Sequence, residues 1–176
     1  MNDAPRNPKL PLNYAHENQP LPLVDHEAED AVRFYAAIFK NSKIVTISRY
    51  PEAGQEIHGK PPGSVLTVVF ELDGQSFTAL NGGPIFKFNE AVSFQIECET
   101  QKEVDYYWER LSEGGEPQAQ QCGWLKDKFG LSWQVVPKVL PKLLTDPDTA
   151  KSQRAFQAMM QMKKLDIERL QRAFDG

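Results

Sequence analysis

Apolar residues recur in this chain at two periods, and the periods take turns. Lys43 to Tyr50 alternates, with Ile44, Thr46 and Ser48 opposite Val45, Ile47 and Arg49, as a strand does. Ala91 to Glu97 alternates too, with Val92, Phe94 and Ile96 opposite Ala91, Ser93 and Gln95. Gly63 to Leu72 is β-branched and almost continuously apolar, which predicts a central strand. Between these runs the period lengthens. Ala31, Phe34, Tyr35 and Ile38 fall on one helical face, widened by Ala28 and Phe39. Val104, Tyr107, Trp108 and Leu111 repeat that stripe with identical spacing.

The punctuation agrees with the periods. Met1 to Pro20 is poor in apolar residues and rich in proline, which predicts a partly disordered tail. Leu21 to Val24 reads as a short edge strand, and Asp25 as the cap of the helix after it. Asp73-Gly74 marks a tight hairpin, with Gln75 to Leu80 returning beside Gly63 to Leu72. Asn81 to Pro84 breaks that strand. Thr100-Gln101-Lys102-Glu103 is a capping box that starts the second helix, and Gly114-Gly115 ends it. Glu116 to Gln121 reads as a poor strand candidate or a loop with one extended stretch. Cys122 to Pro137 reads as strand, turn, strand, with Gly130 free to take a positive φ. In its second strand Ser132, Gln134 and Val136 face one way, Trp133 and Val135 the other. Short helices follow, around Val139 to Leu144, from Pro147 to about Met162, and over Leu165 to Phe174.

Two segments therefore share one order: strand, acidic-start helix, then strands closed by a hairpin. The closing hairpins match as well, Gly74-Gln75-Ser76-Phe77-Thr78 against Gly130-Leu131-Ser132-Trp133-Gln134. The expected fold is α+β: paired βαβββ modules forming a curved mixed sheet around a cleft, with C-terminal helices. Residues 1–20 are a tail, 21–137 the two modules (about 21–81 and 91–137), and 138–176 a helical extension.

Composition narrows the function. A net charge of −4 argues against a nucleic-acid partner, which wants a basic footprint. No apolar run is long enough to span a bilayer, and no signal peptide is evident. Two cysteines, Cys98 and Cys122, are too few for a disulfide framework and lack metal spacing, so a reducing cytoplasm is expected. They read as small core thiols. His16, His26 and His58 have no helical spacing to another ligand, and His58 lies in the long loop Pro51 to Pro62.

Several stretches together resemble the PhnB-like branch of the vicinal-oxygen-chelate superfamily, which includes glyoxalases, bleomycin-resistance proteins and dioxygenases. They are Ala28-Glu29-Asp30-Ala31 with Phe34-Tyr35, Gly63 to Thr67, Phe70 to Gly74, Leu80 to Pro84, Phe86 to Asn89, Glu97-Cys98, the Cys122 to Pro137 hairpin and Met162 to Ile167. The strand Leu21 to Val24 departs from the aromatic-containing strand usual in that branch. Members often carry the label 3-demethylubiquinone-9 3-methyltransferase, yet no glycine-rich loop follows a strand here, so nothing supports S-adenosylmethionine chemistry.

The resemblance implies four inward metal-ligand positions, near Asn18, Thr78, Ala91 and Gln134, with His16 or Glu17 able to slide into the first. Ala binds no metal, and neutral Thr, Asn and Gln oxygens are weak ligands, so no metal or cofactor is expected. The expected ligand-binding residues are Thr78, Ser93, Gln95, Trp124 and Gln134, polar without charge, with Phe86 and Phe88 as further apolar walls. Three functions follow: a small-molecule binding protein with a degenerate metal site, an isomerase, lyase or dioxygenase using a metal these positions do not reveal, or a structural homodimer with a vestigial cleft. A homodimer is expected in any case, because exposed sheet edges and apolar C-terminal helices seek partners.

Overall fold

The structure is a computed structural model and describes residues 20, 22–85 and 87–176. Residues 1–19 of the predicted tail, with His16, Glu17 and Asn18, lie outside the described residues, as do Leu21 and Phe86. The first module runs β1 (Leu23–Val24), α1 (Ala28–Ile38), β2 (Lys43–Arg49), a short helix α2 (Gln55–His58), β3 (Val65–Leu72) and β4 (Gln75–Asn81). Its strands form one sheet in the order β1-β4-β3-β2, with β1 parallel to β4 and the rest antiparallel. The second module runs β5 (Ser93–Cys98), α3 (Gln101–Ser112), β6 (Trp124–Lys126) and β7 (Ser132–Pro137), in the sheet order β5-β7-β6. Three helices close the chain: α4 (Leu140–Leu144), α5 (Thr149–Met160) and α6 (Ile167–Asp175).

The α+β architecture of paired modules with C-terminal helices is the one the pattern predicts. Two details differ. The strands make two sheets rather than one continuous ladder, and the second module has three strands where the repeat predicts four. The missing strand is Glu116 to Gln121, where Pro117–Ala119 forms a 3-10 turn. Pro117 has no N–H to give to a ladder, and a sequence of polar residues offers no apolar face to bury. The chain between α5 and α6 instead pairs with the two residues that lead into β6. Met162 and Lys163 accept hydrogen bonds from the backbone N–H groups of Cys122 and Gly123, each at 2.8 Å.

Each helix stripe covers its own sheet. Ala31, Val32, Tyr35 and Ile38 are buried with Val68, Phe70, Leu72, Phe77 and Ala79 of β3 and β4. Val104, Trp108 and Leu111 are buried with Leu125, Trp133 and Val135 of β6 and β7. The two stripes belong to one continuous core. Every fully buried Leu or Val in it is worth about 1.5–3 kcal/mol relative to exposure. A smaller core of Leu140, Leu143, Ala155, Met162, Leu165 and Leu170 holds α4, α5 and α6 together.

Polar knots tie these parts. The Thr100–Glu103 capping box forms as predicted. At α1 the predicted Asp25 cap does not form. Glu27 holds the N-cap position and makes no side-chain cap bond. Buried Asn81 does the work from β4: its Oδ1 accepts the Ala28 N–H at 2.9 Å, and its Nδ2 donates to the Val65 carbonyl at 3.0 Å.

Asp127 is the second knot. It sits in the predicted turn, yet it is only 2% exposed. One carboxylate oxygen accepts the Tyr35 hydroxyl and the Trp133 indole N–H, both at 2.8 Å. The other accepts the N–H groups of Phe129 at 2.8 Å and Leu131 at 3.0 Å. Trp133 is buried, and its ring neighbours are Tyr35 of α1, Phe39 at the end of that helix and Phe94 of β5. Its ring therefore packs across the seam between the two modules.

Candidate functional site

The sheet β5-β7-β6 has one face under α3 and one open. The register places Gln95 opposite Gln134 and Gln134 opposite Trp124. Three of the expected site residues thus form a single rung across all three strands. Ser93 stands on the same side of β5, two residues before Gln95. Its hydroxyl oxygen accepts a hydrogen bond from the Gln134 side-chain amide at 2.9 Å. Gln95 is exposed, and Ser93, Trp124 and Gln134 are half-buried. Thr78 lies apart. It belongs to β4 of the other sheet, in a row with Val69 and Thr46. No hydrogen bond among the described residues joins its side chain to the rung.

The alternation that predicts the rung comes from period two: Trp133 and Val135 turn into the core, so Gln134 must turn out. Trp124 provides the only large apolar surface on the rung. The side chains of the rung and Ser93 are all non-titrating, so they can donate and accept hydrogen bonds but cannot act as an acid or base near neutral pH.

A groove of about 540 Å³ adjoins this face and shares Gln95 with it. Its floor is Val136 and Pro137, and its far wall is Val139, Pro141 and Lys142 at the start of α4. Glu99 and Lys138 pair across it. The wall could not be read from the sequence, because it depends on how the C-terminal helices fold back. Glu97 was legible, since it continues the outward alternation after Gln95.

The other candidates sit elsewhere. Phe88 is packed against the main core and lines a hollow beside the β1–α1 connection. His58 stacks on Tyr50, and its Nδ1 accepts the Lys60 N–H at 3.0 Å. His26 is on the surface beside Asp25. Cys98 is fully buried, and burial pushes its thiol pKa up to about 12, so it is inert. Cys122 is not a core thiol. It is half-buried, takes φ of +51°, and lies with its sulfur 3.8 Å from that of Met160.

The fold defines a class. Protein PA1353 from Pseudomonas aeruginosa shares it at a TM-score of 0.53 and 14% identity, over 69% of this chain and 96% of that one. FosX, a fosfomycin resistance protein from Listeria monocytogenes, shares it at a TM-score of 0.50 and 15% identity, over 73% of this chain and 96% of that one. The architecture is that of the vicinal-oxygen-chelate superfamily. The PhnB protein from Bacillus cereus is 33% identical, over 69% of this chain and 98% of its own length, with a TM-score of 0.58. A family model described as 3-demethylubiquinone-9 3-methyltransferase matches residues 17–136, and the chain belongs to this PhnB-like family. No curated protein sequence matches it. The three C-terminal helices lie beyond the matched region.

The residues present do not fit the groups that this kinship brings to mind. Of the metal-ligand positions that the resemblance implies, Asn18 lies outside the described residues, and Gln134 and Thr78 carry neutral oxygens on strands of different sheets. Ala91 supplies none and precedes β5 altogether. Among the described residues, no three His, Cys, Asp or Glu side chains converge as a metal site. A nucleotide-type cofactor such as S-adenosylmethionine wants a glycine turn between strand and helix. The β1–α1 connection is Asp25-His26-Glu27, and the β5–α3 connection is Glu99-Thr100.

Proposed function

We propose that this chain is a small-molecule binding protein whose ancestral metal site has degenerated, and that it acts as a homodimer in the reducing cytoplasm. The observation that carries the reading is the Gln95–Gln134–Trp124 rung with Ser93 beside it. It puts two amides, a hydroxyl and one indole on an open face, next to a groove of about 540 Å³. Amides and hydroxyls match a neutral polar ligand in direction, and the indole and the Val136–Pro137 floor take its apolar part. Thr78 remains a proposed contact only if a ligand reaches across to the first sheet.

The dimer follows from what the sheets leave open. The outer edges of β2 and β5 have no strand beside them among the described residues, and Val45 and Val92 are 52% and 67% exposed. No described helix is long and apolar enough to cross a membrane.

The test is a thermal-shift screen of neutral polar metabolite-sized compounds, run with a chelator and again with divalent metals. A ligand that binds only the native state adds about 2.7 kcal/mol of stability at a hundredfold excess over Kd, and so must raise Tm. Hits that survive the chelator support the binding protein. Hits that need added metal, with turnover, support the enzyme reading instead. No hits under either condition leave the structural dimer.

A further inference from the structure

A second recess opens on the seam between the modules, where the start of β4 meets β5. It encloses about 470 Å³. Its floor is a chain of touching rings. Tyr107 lies 5.3 Å from Phe39, Phe39 lies 5.4 Å from Trp133, Trp133 lies 5.5 Å from Phe94, and Phe94 lies 5.5 Å from Phe77. Trp133 and Phe77 are buried, while Phe39, Phe94 and Tyr107 keep part of their surface open.

The rim of this recess is acidic. Asp73, Glu97, Glu99 and Glu103 line it, against a single lysine, Lys40. Glu99 is ion-paired with Lys138, and Glu103 accepts N–H bonds in the α3 capping box. Glu97 joins no ion pair among the described residues. The field reaches the rings. Burial raises the Tyr107 hydroxyl pKa first, and the negative charge of Asp73 raises it further.

The π faces of aromatic rings are negative, and an acidic rim adds full charges of the same sign. Both repel anions. A metal ion would find few donors on the rings, whereas an ammonium with methyl groups satisfies both layers, because its charge is spread over apolar surface. We propose that the seam recess binds an organic ammonium ion, with Phe39, Phe94 and Tyr107 against its alkyl groups and Glu97 as the principal counter-charge. The recess shares Gln95, Glu97 and Glu99 with the groove beside the rung, but Ser93, Trp124 and Gln134 do not line it, so ammonium binding can stand without the ligand proposed for the rung.

The experiment is calorimetric titration of the full chain with choline, with tetramethylammonium, and with the neutral alcohol in which carbon replaces choline's quaternary nitrogen. Choline and tetramethylammonium are expected to bind one per chain, more weakly as salt rises. The neutral isostere should bind about tenfold more weakly or not at all. Glu97→Gln, at an exposed position, should weaken choline roughly fivefold. Glu168→Gln, which removes the same charge from an α6 position that does not line the recess, should leave it unchanged. Absence of choline binding overturns the proposal. So does equal binding of the neutral isostere, and so does an equal loss in Glu97→Gln and Glu168→Gln.

Discussion

A carboxylate taken out of water without a cation beside it pays several kcal/mol unless donors replace the lost hydration. Asp127 is such a group, with four donors on its two oxygens. Burial still raises its pKa, and the four hydrogen bonds pull it back only in part. An ordinary Asp titrates near 4. The native state therefore holds the Asp127 proton more tightly than the unfolded chain does. The stability this gives is full below about pH 4 and is lost as pH rises through the native pKa. Asp127→Asn abolishes that dependence, so the stability gap between wild type and variant should narrow from acid towards neutral pH in denaturant melts. A gap that widens with pH would mean the donors outweigh burial. Trp133→Ala removes a buried ring that touches three others and leaves the Asp127 oxygen that accepts its N–H with the Tyr35 hydroxyl alone. It should cost about 3–5 kcal/mol by urea denaturation. The inward turn of Trp133 was legible from alternation. The role of Asp127 was not, because an Asp between two lysines reads as a turn residue, and its Tyr35 partner is ninety-two positions away. Asn81 escaped for the same reason, being read as a strand breaker when its target is the start of α1.

At the scale of elements, local signals were reliable wherever the partner was near in sequence. Both helix stripes, the Asp73-Gly74 hairpin, the Thr100 capping box and the closing hairpin all sit where the pattern puts them. The second module's missing strand was half-visible in the poor strand character of Glu116 to Gln121. The pairing of Met162 and Lys163 with Cys122 and Gly123 was invisible, because it spans forty residues. Gly114-Gly115 shows the difference within one dipeptide. Gly114 ends α3 with φ of +71°, as a terminator should. Gly115 is needed for another reason: a Cβ there would stand 2.2 Å from the Lys126 carbonyl oxygen, which belongs to β6. Gly115→Ala must push backbone apart and should destabilise the protein by about 1–3 kcal/mol in a thermal melt. Free tolerance of alanine there would mean that β6 does not lie against the end of α3.

The whole molecule reads as a family domain with helices added. The relatives are covered almost entirely, while the matched region of this chain stops at residue 136. The added α4 forms one wall of the groove beside the rung, so the extension shapes the candidate site, and the chain between α5 and α6 ties down the entry to β6. A homodimer should appear by light scattering at micromolar concentration, and a monomer mass there would count against the edge argument. The central claim is narrower: adjacent residues of β7 serve opposite ends, with Trp133 holding the fold and Gln134 facing a ligand. The direct measurement is the thermal stability of Gln134→Ala with and without a chelator-resistant hit from the ligand screen. The variant should melt within about 1 kcal/mol of wild type in the absence of ligand and should lose most of the ligand-induced rise. A variant that unfolds without ligand, or that keeps the full rise, would contradict the account.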